Sequence, residues 1–171
     1  MVPRFRFVHC YVNKLVLLIR PLIYAKEVRE LLGIQKNLRV AVYARVSSED
    51  QQERGTIENQ LEFARKYCDL HQLQVVEWYK DDGVSGTLPL ENRNAGLRLL
   101  NDAMANKFEL VLIYKLDRLG RSARVILNSV HELEQSNVKV RSMTEPFDTS
   151  DPSGRFLLTM LAGVADLERE T

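Results

Sequence analysis

The stretch RVAVYARVSSEDQ, residues 39–51, decides the fold because a mostly apolar segment in it ends directly in charged and polar residues. Its first six residues have the composition of a buried strand. Arg45 and Ser47 follow two residues apart, and residues i and i+2 of an extended chain point the same way. We therefore expect Tyr43, Arg45 and Ser47 to share one face, while the residues between them turn toward the core.

Outward from this strand, strand-like and helix-like segments alternate along the chain. Apolar runs predict strands at RVAVYA, LQVVEWY, LVLIY and VKVRSM, and apolar residues at helical spacing predict helices at TIENQLEFARKYCDLH, NAGLRLLNDAMAN, ARVILNSVHELEQ and SGRFLLTMLAGVADLERE. Such alternation is typical of α/β domains with right-handed crossovers. We predict a three-layer α/β domain with a mainly parallel central sheet of four to five strands, flanked by helices and ending in a long helix.

Polar side chains follow two of these predicted strands. In open α/β sheets the ligand site lies beyond the carboxyl ends of the strands, so residues that follow different strands meet at one edge. Two such segments are predicted to converge: Arg45 and Ser47 after the first strand, and Lys115, Asp117, Arg118 and Arg121 after the third.

The residue types at this edge favour phosphate chemistry. A serine is a weak nucleophile that needs a base or a strong local field, and no histidine stands at a recognisable triad position. Arginine keeps its charge at any accessible pH, and its planar fork matches phosphate oxygens. Three arginines around Ser47 suit a phosphodiester and could supply the charge that Mg²⁺ supplies in other enzymes. We therefore expect no metal and no cofactor, although KLDRLGR taken alone also fits a helix-capping turn with solvated charges.

Composition limits the remaining possibilities. The formal net charge is +1, and residues 1–37 hold seven of the 24 Lys/Arg but only two of the 23 Asp/Glu. Residues 38–171 are mildly acidic, so any DNA contact by this part must come from local clusters of basic residues or from a further segment of the protein. Two distant cysteines, Cys10 and Cys68, favour a reduced cytoplasmic protein. The apolar run KLVLLIRPLIY is too short to span a membrane. We predict an N-terminal extension of unknown role over residues 1–37 and one domain over residues 38–171.

Five motifs together point to a family. YARVSSEDQ, IENQ, YKDDGVSG, KLDRLGR and ADLERE occur in this order, and the combination resembles the catalytic domain of the serine recombinases, the resolvase and invertase group. The segment after the serine looks most like the large serine recombinase or transposon integrase branch. The resemblance covers residues 38–171 and implies a resolvase-like fold whose long last helix forms an interface. Because family members continue into separate DNA-binding domains, we expect this sequence to be a fragment without them.

The resemblance assigns expected roles to individual residues. Ser47 matches the nucleophile, Arg45 the arginine beside it, and Arg118 and Arg121 the arginines that bind the scissile phosphate. Asp117 is expected to orient this cluster or to assist proton transfer. The remaining matches are supporting or phosphate-contacting positions: Tyr43, Gln51, Gln60, Arg93 and Lys115 near the site, and Glu168 with Arg169 as the pair near the start of the interface helix. The match of Arg93 is less close, since Asn94 replaces the proline that often follows.

The resemblance also implies a mechanism and partners. Ser47 would displace the 3′ oxygen and form a 5′-phosphoserine bond, so that rejoining requires no ATP. The partners would be double-stranded DNA attachment sites, a homodimer that assembles to a tetramer on DNA, and in some systems a directionality factor, with no membrane. An apolar stripe on the last helix would serve subunit pairing or, equally, core packing. It comprises Phe156, Leu157, Met160, Leu161, Val164 and Leu167.

Other classes fit less well. A non-catalytic resolvase-fold module for DNA assembly or regulation predicts loss of the serine or of an arginine, and the sequence keeps all of them. A phospho-acceptor regulator requires an acidic pocket after the first strand, where Arg45 and Ser47 stand. A nucleotide-binding domain requires a glycine-rich first loop, which the sequence lacks.

Overall fold

Four parallel strands form the sheet of the described part of the chain. The computed structural model describes residues 38–47 and 56–170. The strands are β1 (Arg39–Val46), β2 (Gln74–Asp82), β3 (Leu110–Ile113) and β4 (Lys139–Ser142), in the order β2-β1-β3-β4. Every neighbouring pair is parallel. The extension predicted for residues 1–37 lies outside the described residues.

Four α-helices cover the two faces of this sheet. They are α1 (Ile57–Leu70), α2 (Asn94–Met104), α3 (Ala123–Gln135) and α4 (Pro152–Glu170), with short 3₁₀ helices at Leu90–Asn92 and Leu116–Arg118. Helix α1 packs on one face, whereas α2 and α3 pack on the other, where α4 lies against α3. The predicted three-layer α/β fold is confirmed, with four strands among the described residues.

The alternation of side chains along β1 explains why its whole length is buried. Ala41 and Tyr43 belong to the cluster formed with α2 and α3. Val40 and Val42 belong to the cluster on the α1 side, and Ala44 and Val46 pack there against the first turns of α1. A central parallel strand covered on both faces is apolar nearly throughout, and this brings the polar end of β1 into the interior.

Local signals set the helix boundaries. Thr56 accepts a hydrogen bond from Asn59 N at 3.4 Å and caps α1, and Ser122 accepts one from Val125 N at 3.3 Å and caps α3. Helices α1, α2 and α3 each end two residues before a residue with positive φ, and the chain then leads into the next strand. These residues are Gln72, Asn106 and Asn137.

Helix α4 divides its apolar residues between two environments. Leu157, Leu158 and Leu161 pack on the α2/α3 side of the core, and Ala165 is buried. The other face, which we call the α4 exposed face, consists of Phe156, Met160, Val164 and Leu167, with 46–67% exposure. One side of α4 therefore packs on the core, and the opposite side carries an exposed apolar stripe. No helix in the described ranges is long and apolar enough to cross a bilayer.

Two glycines of α4 make a matched test of this packing. A Cβ at Gly154 would overlap the carbonyl oxygen of Asp148, whereas a Cβ at Gly163 would meet nothing within 4 Å. We expect Gly154→Ala to lower the free energy of unfolding by about 1–3 kcal/mol through overpacking. Gly163→Ala should raise it by about 0.5–1 kcal/mol through helix propensity. Urea unfolding of both variants measures the difference, and equal effects would contradict the close approach of α4 to residue 148.

Candidate active site

Ser47 lies at the carboxyl end of β1 and is 4% exposed. Arg121 Nη2 donates a hydrogen bond to Ser47 Oγ at 2.9 Å. Arg121 belongs to the segment after β3, residues 115–121, which we call the arginine turn and which includes the 3₁₀ helix Leu116–Arg118. The two segments that the sequence predicts to converge are thus in direct contact.

Arg118 is held by two partners beside this contact. Its Nη1 donates to Arg45 O at 2.7 Å, which anchors the side chain to the end of β1. Its Nε and Nη2 donate to Asp117 Oδ1 and Oδ2 at 2.8 and 2.7 Å. This bidentate pair fixes the plane of the Arg118 guanidinium, and the role expected of Asp117 in the reaction stays a prediction. The two side chains differ in exposure, at 12% for Arg118 and 48% for Asp117.

Arg45 is buried and binds main-chain oxygens. Its guanidinium donates to Val84 O at 2.8 Å, Asp117 O at 3.1 Å and Arg118 O at 3.3 Å. These acceptors lie in the loop after β2 and in the arginine turn, so one side chain joins both loops to β1. In this arrangement the described bonds of Arg45 serve to brace the site, and its predicted role in phosphate binding stays a prediction.

Gly86 allows the loops to close around Arg45. A Cβ at this position would lie 2.9 Å from Arg45 Nη2 and 2.8 Å from Arg121 Cγ. The carbonyl oxygen of Gly86 accepts from Arg121 N at 2.9 Å. The second glycine of the YKDDGVSG motif therefore permits close packing of main chain against the Arg45 guanidinium and the aliphatic part of the Arg121 side chain.

Arg93 forms the centre of a second buried network. Its guanidinium donates to Leu88 O at 2.7 Å, Leu119 O at 2.6 Å and Arg118 O at 2.9 Å. Nη1 also donates to the Tyr43 hydroxyl at 3.0 Å. The Arg93 guanidinium thus holds both the loop before α2 and the arginine turn. Arg93 lies behind the site, where it supports Arg118 and Arg121 through their backbone.

Tyr43 links this arginine to a carboxylate. The Tyr43 hydroxyl donates to Asp81 Oδ2 at 3.0 Å. Burial raises the pKa of Tyr43 well above its usual value, the positive charge of Arg93 opposes this, and the negative charge of Asp81 adds to it. The Tyr43 phenol therefore stays protonated at physiological pH, so it donates a hydrogen bond to Asp81 and does not act as a base.

The sequence analysis missed Asp81. This carboxylate is 2% exposed and also accepts from Ala95 N at 2.9 Å and Gly96 N at 3.0 Å, so it caps the first turn of α2. The available signal was the spacing of Tyr79 and Asp81, which puts both on the inward face of β2. Within the YKDDGVSG motif, the sequence alone did not distinguish buried Asp81 from exposed Asp82.

Gln60 joins α1 to the end of β1. Its Nε2 donates to Arg45 O at 3.0 Å, the same oxygen that Arg118 binds. Its Oε1 is buried, with no hydrogen-bond partner among the described residues. The structure thus brings Gln60 next to the site as predicted, whereas Gln51 lies outside the described residues.

Three of the predicted residues are less closely tied to Ser47. Lys115 Nζ lies 5.9 Å from the ring centroid of Tyr114, at the start of the arginine turn. Glu168 and Arg169 lie in the last turns of α4, which begins at Pro152, so they do not stand near the start of that helix. Arg169 Nη2 is 3.9 Å from Asp166 Oδ1 within the same helix. Across residues 38–47 and 56–170, no group of three His, Cys, Asp or Glu could hold a metal ion.

Comparison with known proteins defines the class. The family model described as Resolvase, N terminal domain, matches residues 40–171, well over half of the chain. The chain therefore belongs to the resolvase N-terminal domain family, the catalytic-domain class of the serine recombinases. This confirms the resemblance that the five sequence motifs indicated.

Solved structures and curated relatives agree with this class. The catalytic domain of TP901-1 integrase is similar with a TM-score of 0.68 and 37% identity, over 77% of this chain and 97% of that one. A resolvase family site-specific recombinase from Streptococcus pneumoniae has a TM-score of 0.65 and 25% identity, over 78% and 89%. Serine recombinase gin of Escherichia phage Mu is 41% identical over 64 residues, 37% of this chain and 33% of that protein. Transposon Tn2501 resolvase of Escherichia coli is 31% identical, over 77% of this chain and 64% of that protein.

Removal of the Tyr43 hydroxyl, with removal of the Tyr79 hydroxyl as the control, tests the buried network around Arg93. Tyr43→Phe removes a donor from Asp81 and an acceptor from Arg93, both of which are almost fully buried. We expect it to lower the free energy of unfolding by about 3 kcal/mol, because charged partners lose a hydrogen bond in the interior. The control is Tyr79→Phe, whose partner Asp102 also pairs with Lys107 near the surface.

For that control we expect a loss of about 1 kcal/mol or less, since water and Lys107 satisfy Asp102. Urea unfolding of both variants gives the comparison. A Tyr43→Phe variant as stable as Tyr79→Phe would show that the network contributes little to holding the site.

Proposed function

We propose that this chain contains the strand-cleaving domain of a site-specific DNA recombinase, with Ser47 as the nucleophile. The observation that carries the proposal is the hydrogen bond from Arg121 Nη2 to Ser47 Oγ, beside the anchored guanidinium of Arg118. A neighbouring positive charge favours the serine alkoxide over the neutral hydroxyl and attracts a phosphodiester to the same place. The names of the relatives support this reading, since they include recombinases, invertases and an integrase.

The reaction follows from this arrangement. Ser47 Oγ attacks the phosphorus, the bond from phosphorus to the 3′ oxygen breaks, and the DNA 5′ end becomes a phosphoserine. The serine proton is lost and the departing 3′ oxygen gains a proton, so the net step is a transesterification. Arg118 and Arg121, with Arg45 behind them, stabilise the charge on the equatorial oxygens, and Asp117 keeps Arg118 in place. Attack by the free 3′-hydroxyl reverses the step, so no ATP and no metal ion are required.

Assembly and location complete the proposal. The DNA partner is a double-stranded attachment site, which the domain meets in the cytoplasm. The α4 exposed face is the surface by which two copies pair before two dimers form a tetramer on DNA, because it presents large apolar side chains at helical spacing, among them Phe156, Met160 and Val164, which are 46–67% exposed. A directionality factor is a further candidate partner. A non-catalytic assembly module is the alternative, and the Arg121–Ser47 contact favours catalysis over it.

The nucleophile is tested by trapping the covalent intermediate. The full-length protein is mixed with labelled attachment-site DNA that carries a nick near the crossover, in EDTA, so that rejoining fails. We expect an adduct that survives denaturation and maps to Ser47 by peptide mass. Ser47→Ala should form no adduct while still binding DNA, because a hydroxyl at a strand end contributes little to the core.

The control for this experiment is Ser129→Ala. Ser129 is as buried as Ser47 but lies in α3, where its hydroxyl donates to Val125 O at 2.8 Å. We expect this variant to form the adduct at the rate of the unmodified protein. An adduct in Ser47→Ala would assign the nucleophile to another residue. DNA binding without any adduct in the unmodified protein would move the assignment to the assembly module.

The pairing surface is tested by placing a charge on it. Met160 is 56% exposed on α4, and Met160→Glu should weaken dimerisation about tenfold or more, because the carboxylate would be buried between two apolar faces. Leu70→Glu is the control, since Leu70 on α1 is 78% exposed and lies outside this face. Sedimentation equilibrium of the full-length protein measures both. If the two variants self-associate equally well, α4 is not the pairing surface.

A further inference from the structure

The arginine turn is held at Leu116, near its start, by a carboxylate from another part of the chain. Leu116 N donates a hydrogen bond to Glu145 Oε2 at 2.7 Å, across 29 residues of sequence. Leu116 begins the 3₁₀ helix, so its N–H has no acceptor within that helix. A short bond from a main-chain donor to a carboxylate is stronger than one to a neutral acceptor.

The segment that carries Glu145 is itself well anchored. Ser142 Oγ accepts a hydrogen bond from Glu145 N at 3.2 Å and lies 3.3 Å from Glu145 Oε2. Ser142 N donates to the carbonyl oxygen of Phe147 at 2.9 Å, and the Phe147 ring is buried in the core. Glu145 therefore approaches Leu116 from a fixed base, and its carboxylate is not a mobile surface group that happens to be near.

The other bonds that join this segment to the chain after β3 reach Ile113 and Tyr114, before the turn begins. Thr144 Oγ1 donates to Tyr114 O at 2.6 Å, and Ser142 Oγ lies 3.2 Å from the same oxygen. These contacts tie the segment to the end of β3, before the turn begins. Among the described hydrogen bonds, that of Glu145 alone joins the segment after β4 to residues 115–121.

The orientation of the turn determines where its guanidinium groups lie. Arg118 and Arg121 reach Arg45 O and Ser47 Oγ from a turn of only a few residues. Glu145 holds the Leu116 end of this turn, while Arg45 and Arg93 hold its backbone from Asp117 to Leu119. Misplacement of reacting groups by about 1 Å can lower a rate about 100-fold. The site thus depends on a contact that lies outside the set of residues matched to the family motifs.

We propose that Glu145 is a positioning residue for strand cleavage: its carboxylate holds the Leu116 N–H and so keeps Arg118 and Arg121 aligned with Ser47. The cleavage part of this proposal rests on the function proposed above for Ser47, whereas the structural part does not. Glu145 contacts neither Ser47 nor the two guanidinium groups in the described bonds, and it acts through the backbone of the turn.

The surroundings of Glu145 make substitution practicable. Its side chain is partly exposed and borders a cavity of about 340 Å³, lined also by Arg141 and Asp148. Glu145→Gln keeps an acceptor oxygen of the same reach, and Glu145→Ala removes it without filling space. Two controls match these changes: Glu134→Ala removes a surface carboxylate paired with Lys139, and Thr144→Ala removes the neighbouring bond to Tyr114.

The structural part is tested first, without DNA. Amide hydrogen exchange of the full-length protein, followed by NMR, reports the protection of the Leu116 N–H. We expect Glu145→Ala to speed exchange at Leu116 about tenfold or more, with Glu145→Gln close to the unmodified protein and both controls unchanged there. Unchanged exchange in Glu145→Ala would overturn the proposal whatever the protein does to DNA.

The catalytic part is measured as the rate of covalent adduct formation on nicked attachment-site DNA at saturating concentration. We expect Glu145→Ala to slow this rate about tenfold or more, with DNA affinity and melting temperature unchanged, and Glu145→Gln to restore most of it. A wild-type rate in Glu145→Ala, or equal losses in Ala and Gln, would overturn the positioning role. If the unmodified protein forms no adduct, the function proposed for Ser47 fails, while the exchange experiment still decides whether Glu145 holds the turn.

Discussion

The buried guanidinium of Arg93 is the constraint on which the rest of the site depends. It lies at 1% exposure, where a charge without partners would be strongly destabilising. Its partners are carbonyl oxygens of the loop before α2 and of the arginine turn, together with the Tyr43 hydroxyl. The nearest carboxylate along this chain of bonds belongs to Asp81, which also caps α2. Because every partner must stay in reach, the charge determines how two loops and one helix are placed against β1.

The four arginines around this site form two pairs with different structural roles. Arg45 and Arg93 are almost fully buried and bind loop carbonyl oxygens, so they build the frame. Arg118 and Arg121 are held against the end of β1 and the Ser47 hydroxyl, which is the position that the proposed cleavage by Ser47 requires of them. Groups fixed before the substrate arrives need not reorganise during the reaction, which is the main source of electrostatic catalysis. Lysine could not replace Arg45 or Arg93, because each guanidinium donates hydrogen bonds in several fixed directions at once.

The sequence predicted the architecture well because its signals are local. Apolar runs and helical spacing are readable within a few residues, and the rule for strand ends brings Ser47 to the arginine turn. The division of the arginines was not predictable, because it depends on where the carbonyl oxygens of separate loops lie after folding. Asp81 was missed for the same reason. The apolar residues of α4 also fit one stripe in sequence, and only packing shows that Leu157 and Leu161 turn inward while Met160 turns outward.

The chain between β4 and α4 relates the two surfaces that recombination requires. Residues 142–149 contact the end of β3 and Leu116 of the arginine turn, and Thr149 Oγ1 accepts from Val140 N at 3.0 Å in β4. Helix α4 begins at Pro152, and its Gly154 lies directly against the backbone of Asp148. A displacement of α4 along its axis would meet this backbone contact within its first turn. Because the same helix carries the α4 exposed face, a partner that shifts α4 must move or distort the segment that supports the arginine turn.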